Sequence, residues 1–111
     1  MTDAGRALVR ACHELGILID VSHLTAAGFW DVLDEARGPV VATHSNAWAV
    51  CPHSRNLDDR QLAALAERRG AVGVNLGVGF LAPDGRWDAG LGLEAIVRHV
   101  DDLVTFCSIR H

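Results

Sequence analysis

No run of eighteen or more apolar residues occurs in this chain, so no segment reads as a membrane-spanning helix. Positive charge does not gather either. The longest basic cluster is Arg68-Arg69, and with a formal net charge of -4 the chain has no electrostatic footprint for nucleic acid. Cysteine is scarce and odd in number: Cys12, Cys51 and Cys107, with no two at Cys-x-x-Cys spacing. That argues against a disulfide framework and for a reducing, cytoplasmic setting, with each cysteine a small apolar packing residue. The opening Met1-Thr2-Asp3-Ala4-Gly5-Arg6 carries an acid and no long apolar stretch, which is not a secretory pattern. Low-complexity segments and linkers are missing. Gly70, Gly73, Gly77 and Gly79 fit neither a dinucleotide fingerprint nor a Walker loop, so turns and strand packing are their expected roles.

What is present is a globular balance: 111 residues, 50% hydrophobic and 22% charged, enough for one domain with a core. Helical and extended patterns alternate. Residues 3–15 place Leu8, Ala11, Cys12 and Leu15 at helical spacing, with Thr2 as N-cap and Gly16 as the stop. A branched apolar run follows at 17–21. A second helix is expected over 25–36, capped by Thr25 and lined inside by Phe29, Leu33 and Ala36. Gly38-Pro39 ends it and opens a strand at 40–43. Residues 45–57 have no period and read as a loop over an active face. Asp58 and Gln61 form a capping box for a third helix, 58–69, with Leu62, Leu65 and Ala66 inside. Gly70 stops it, and 71–76 reads as a third strand. A loop with a turn at Pro83-Asp84-Gly85 leads to a fourth helix over 92–106, with Ile96, Val100 and Leu103 on one face.

Strands alternating with helices imply parallel βαβ units with right-handed crossovers. The nearly all-apolar strands imply a sheet covered on both faces. Two architectures fit: a small open α/β sheet, or about three βα units of a (β/α)8 barrel. A whole barrel needs about 250 residues.

Chemistry gathers at two strand ends. His23 follows Asp20-Val21-Ser22, and His44 follows Thr43. Their separation of 21 residues is about one βα repeat, which sets the two imidazoles on neighbouring strands at one mouth. Imidazole is the commonest metal ligand, and a rigid strand end places it well. Arg55, on the loop beyond, could grip a carboxylate with two parallel hydrogen bonds; an arbitrary loop arginine is simply solvated. Trp48 either lines the same pocket or anchors the loop. His53 carries no independent signal. His13, His99 and His111 read as surface or packing residues.

The stretches Gly16-Ile17-Leu18-Ile19-Asp20-Val21-Ser22-His23-Leu24, Pro39-Val40-Val41-Ala42-Thr43-His44-Ser45-Asn46-Ala47 and Arg55-Asn56-Leu57-Asp58-Asp59 together resemble the renal (membrane) dipeptidase family of zinc peptidases. Thr2-Asp3-Ala4-Gly5-Arg6 and Gly73-Val74-Asn75 fit as well, so the likeness runs through almost the whole chain. It implies a partial (β/α)8 barrel, with residues 1–111 as one partial domain. In the family two zinc ions share a bridging glutamate. The resemblance implies that His23 and His44 are ligands of one zinc and that Arg55 binds the terminal carboxylate of a dipeptide substrate, cleaved by a metal-activated water.

The departures matter equally. The family's His-x-Asp motif for the other zinc is missing, as are the bridging glutamate and the segment carrying a catalytic acid. Ser54 stands where many members have proline. The chain is therefore expected to be a fragment with at most one partial zinc site, no catalytic acid or base of its own, and weak or no activity alone. Open sheet edges invite self-association. The alternatives are a non-catalytic α/β module that completes its fold with a partner chain, or another binuclear metal amidohydrolase.

Overall fold

A computed structural model describes residues 1–107; His111 and the side chain of Cys107 lie outside the described part. The elements run α1 (Asp3–Glu14), β1 (Ile19–Asp20), α2 (Ala26–Glu35), β2 (Val40–Val41), α3 (Asp59–Glu67), a 3-10 turn (Val78–Phe80) and α4 (Leu93–Cys107). β1 and β2 are parallel, with Ile19 opposite Val40 and Asp20 opposite Val41.

The caps read from sequence form as expected. Thr2, Thr25 and Asp58 each accept a backbone N–H in the first turn of α1, α2 and α3, and the Asp58–Gln61 box is reciprocal. α1 ends in a Schellman motif: Gly16 is left-handed (φ 73°), its N–H bonds His13, and that of Ile17 bonds Cys12. α3 ends the same way one residue earlier than expected. Arg69, not Gly70, takes the left-handed position (φ 54°), and the N–H of Gly70 reaches back to Leu65. Gly70 is required for closeness instead, because a Cβ there would lie 2.2 Å from the Val40 carbonyl oxygen.

The expected third strand is a correction. Residues 71–76 make only a single parallel bridge, Ala42 to Val72. The pairing is nonetheless in register: Ala42 N–H bonds Ala71, Gly73 N–H bonds Ala42, and Ser45 N–H bonds Gly73, all at 2.8–2.9 Å. The other two strands are also shorter than their apolar runs. Side chains replace main-chain partners at their ends, as described below. Gly73 lets the third segment lie close alongside the chain just after β2, since a Cβ there would sit 2.0 Å from the Thr43 oxygen. Gly73→Ala is expected to cost about 1–3 kcal/mol through overpacking against an immovable carbonyl. A lowered urea midpoint reads this; an unchanged midpoint would refute it.

The core joins Val21, Phe29, Val32, Leu33 and Ala36 to Val40, Ala42, Leu62, Leu65 and Leu103. The inner faces of α2 and α3 are thus as expected, except that Ala66 is half-buried. α1 differs, because Val9 is its buried residue while Leu8 and Leu15 are exposed. α4 differs too. Ala95, His99 and Leu103 form its buried stripe, and Leu93, Val97, Val100 and Val104 form an exposed apolar one. Among the described residues, no helix is long and apolar enough to cross a membrane.

His99 is fully buried. Its Nδ1 accepts the Ala47 N–H at 3.1 Å, and its Nε2 bonds the Leu81 carbonyl at 3.1 Å, so it pins α4 to the loop after β2. Burial pushes its pKa below the ordinary imidazole value, against opposing pulls from Leu81 and Asp102. The unfolded chain therefore binds a proton that the folded chain refuses once pH falls below about 6.5. Its contribution to stability is whole above that pH and is lost as pH falls towards the folded-state value. His23 shifts in the same direction, so the informative quantity is a difference. The decline in denaturation midpoint between pH 7.5 and pH 5 should be shallower in His99→Gln. Parallel profiles would contradict the assignment.

Candidate metal and substrate site

Both strand-end histidines come to one place. β1 and β2 lie side by side, and their histidines follow at equivalent distances beyond the paired residues. The His23 and His44 ring centroids are 4.6 Å apart, tilted by 59°. His23 has a left-handed backbone (φ 70°), which is uncommon for a residue with a Cβ.

Pairing beyond the strands passes to side chains. Asp20 Oδ1 accepts the N–H groups of Ser22 (2.9 Å) and Thr43 (3.1 Å), and Ser22 Oγ accepts the His44 N–H (3.1 Å). Asp20 Oδ2 lies 2.5 Å from Thr43 Oγ1, which is itself 2.7 Å from His44 Nδ1. Burial works to raise the Asp20 pKa, but the donors from Thr43 and Ser22 outweigh it and bring it down to about 2. These residues had no role in the sequence reading. The usable signal was a carboxylate and two hydroxyls directly preceding the histidines.

Arg55 reaches the histidines from the loop. Its Nη2 is 2.5 Å from His23 Nε2, and its guanidinium lies over the Phe80 ring, 5.3 Å from the centroid. Burial first, then the positive charge of Arg55 and the proximity of the His44 ring, hold His23 below the usual imidazole range, against an opposing pull from Asp20. This shift favours the neutral imidazole, the state that can bind a metal. His53 stacks edge-on against Phe80 at 4.7 Å and accepts the Arg55 N–H. A cleft of about 540 Å³ opens here, lined among others by His23, Thr25, Trp48, Arg55, Asn56 and Gln61. Trp48 thus lines the pocket.

The loop that carries Arg55 is held closed at its base. Trp48 N–H bonds the Leu57 carbonyl and Leu57 N–H bonds that of Asn46, both at 2.8 Å. The fully buried Asn46 amide clamps the next segment: Oδ1 accepts the Asn75 N–H, and Nδ2 donates to the carbonyls of Asn75 and Phe80.

Two neutral-capable imidazoles at neighbouring strand ends suit a borderline-soft divalent metal. Among the described residues, no three His, Cys, Asp or Glu side chains gather as a complete ligand set.

Residues 1–111 match the profile of the membrane dipeptidase family, peptidase family M19. The chain belongs to this family. Among its relatives, an uncharacterized protein from the pqqA 5' region of Klebsiella pneumoniae is 47% identical over 111 residues, covering 100% of this chain and 41% of that protein. Dipeptidase aclJ of Aspergillus oryzae is 40% identical over 76 residues, covering 68% of this chain and 18% of its own length. Two solved structures superpose with TM-scores of 0.93 at 51% identity: the metallopeptidase dipeptidase AC, and a Rhodobacter sphaeroides metallopeptidase bound to a phosphinate mimic of the dipeptide L-Ala-D-Ala. Each superposition covers 96% of this chain, and 31% and 30% respectively of the larger ones. This M19 chain therefore spans under half the length of these relatives. Its parallel α/β units are part of a barrel-type fold, not a small open sheet.

Proposed function

We propose that this chain is one sector of a zinc-dependent dipeptidase, carrying two ligands of one zinc and the anchor for the substrate carboxylate. The carrying observation is the convergence of His23, His44 and Arg55 at the ends of adjacent parallel strands, with the rings 4.6 Å apart. Membership of a metallopeptidase family supports a metal there, and the dipeptide mimic bound by the Rhodobacter relative supports a dipeptide as substrate.

His23 and His44 would hold the zinc. A catalytic zinc usually has three protein ligands, and two are present. When bound, the metal centre supplies a water acidic enough to attack a peptide carbonyl near neutral pH. Arg55 orients the dipeptide. Its guanidinium, which here donates to His23 Nε2, would have to release that nitrogen for zinc to bind there; its five N–H donors in a fixed fork would then be free for a carboxylate, and stacking on Phe80 restrains it beforehand.

The 111 residues form one partial barrel domain, weak or inactive alone, in a cytoplasmic setting. Among the described residues β1 is paired on one side only, and the apolar stripe of α4 is exposed. These features favour completion of the barrel by further chain, with self-association through open edges as the consequence when it is missing.

The decisive test is Arg55→Met in the protein with its metal centre complete. Removing one partner of a charge pair costs about 2–5 kcal/mol, so the KM for L-Ala-D-Ala is expected to rise at least about 30-fold while kcat changes little. Arg55→Lys should recover only part, for want of the bidentate fork. An unchanged KM in Arg55→Met would remove the assigned role.

A further inference from the structure

We propose that Asp20 and Thr43 act as a relay that decides which ring nitrogen of His44 carries the proton, leaving Nε2 free for the metal. This rests on the reading of His44 as a ligand. The argument is an accounting of donors. An ionised carboxylate has no proton to give, so across the 2.5 Å contact Thr43 Oγ1 must donate to Asp20 Oδ2. A hydroxyl has one proton, and it is now committed. At 2.7 Å from His44 Nδ1, Oγ1 can then only accept, so Nδ1 must be the protonated nitrogen. In a neutral imidazole the other nitrogen holds the free lone pair.

Asp20 cannot do this directly. Its Oδ2 is 3.9 Å from His44 Nδ1, beyond hydrogen-bond range, so Thr43 is a necessary intermediate. The direction of the relay is also fixed. Asp20 Oδ1 faces two backbone N–H groups, those of Ser22 and Thr43, which permits only an acceptor at that corner. Metal-binding histidines ordinarily present their second nitrogen to a carboxylate or carbonyl; here a hydroxyl stands between. Asp20 and Thr43 are positioning residues.

The relay makes an unusual demand on a nearly isosteric change. In Asp20→Asn the amide oxygen stays with the two backbone donors, so the NH2 group faces Thr43 Oγ1. The hydroxyl must then turn its proton to His44 Nδ1, and the imidazole proton moves to Nε2, blocking the metal. Thr43→Val removes the relay without changing shape, and Thr43→Ser keeps it.

The test is nitrogen NMR of the His44 ring in metal-free protein at neutral pH, followed by zinc titration against a competing chelator. The wild type and Thr43→Ser should show Nδ1 protonated and bind zinc equally. Asp20→Asn should show Nε2 protonated, and Thr43→Val a mixture of the two forms. Zinc affinity should fall about 10–100-fold in both. An Nε2-protonated His44 in the wild type overturns the proposal, as does the wild-type form persisting in both Asp20→Asn and Thr43→Val. The ring measurement needs no metal, so the two readings fail separately. The expected tautomers with no zinc uptake would overturn the metal site and leave the relay standing. Zinc uptake by a wild type protonated at Nε2 would do the reverse.

Discussion

On the proposed zinc reading, His44→Ala in the protein with its metal centre complete should lower zinc affinity by about 100-fold or more and abolish most dipeptide hydrolysis at ordinary zinc concentrations. Structural zinc sites release about 10–16 kcal/mol through four ligands, or about 3 kcal/mol for each. That corresponds to about 100-fold in the dissociation constant. His23→Ala should match it, because the two rings occupy equivalent strand ends. Excess zinc should restore part of the activity in either variant, since the loss is one of occupancy. Metal analysis after dialysis, set beside kcat/KM at low and high zinc, checks the expectation. A variant that retains stoichiometric zinc would remove His44 from the ligand set.

The second large effect is on stability. Asn46→Ala is expected to destabilise the fold by about 3 kcal/mol, from three lost hydrogen bonds at about 1 kcal/mol each. The Phe80 carbonyl keeps the Asn56 amide as a partner, but the main-chain N–H and carbonyl of Asn75 lose theirs. For a chain of this size the melting temperature should drop on the order of 10 °C. Asn46→Asp should be worse, because a carboxylate would face the Asn75 and Phe80 carbonyls with no proton to offer. Thermal melts of both variants decide this; an unchanged midpoint in either would show that the clamp is dispensable.

Local features were legible where one residue type answers one physical need. Thr2, Thr25 and the Asp58–Gln61 box cap their helices because a short side chain there reaches orphan N–H groups. The two histidines were legible because a βα repeat returns each strand end to the same face. Non-local choices were hidden. Arg69 taking the left-handed position in place of Gly70 depends on how close Val40 approaches, which no local pattern records. The buried face of α4 was read as Ile96, Val100 and Leu103; His99, open between surface and packing in the sequence, is made a core residue by two main-chain partners from distant loops. The relay through Thr43 and the clamp of Asn46 were invisible for the same reason, since both join residues 23 to 34 positions apart. The third strand was overread: its apolar composition promises a sheet interior, but among the described residues it is bridged from one side only.

The left-handed backbone of His23 sets stability and chemistry against each other at one position. A side-chain-bearing residue pays about 1–2 kcal/mol to sit there, and glycine would not. Selection for heat resistance alone would therefore favour replacing this histidine, while under its proposed role as a zinc ligand selection for hydrolysis would hold it. Under that proposed role, position 23 is a poor target for thermostabilising engineering: a glycine there would relieve the backbone and remove the ligand.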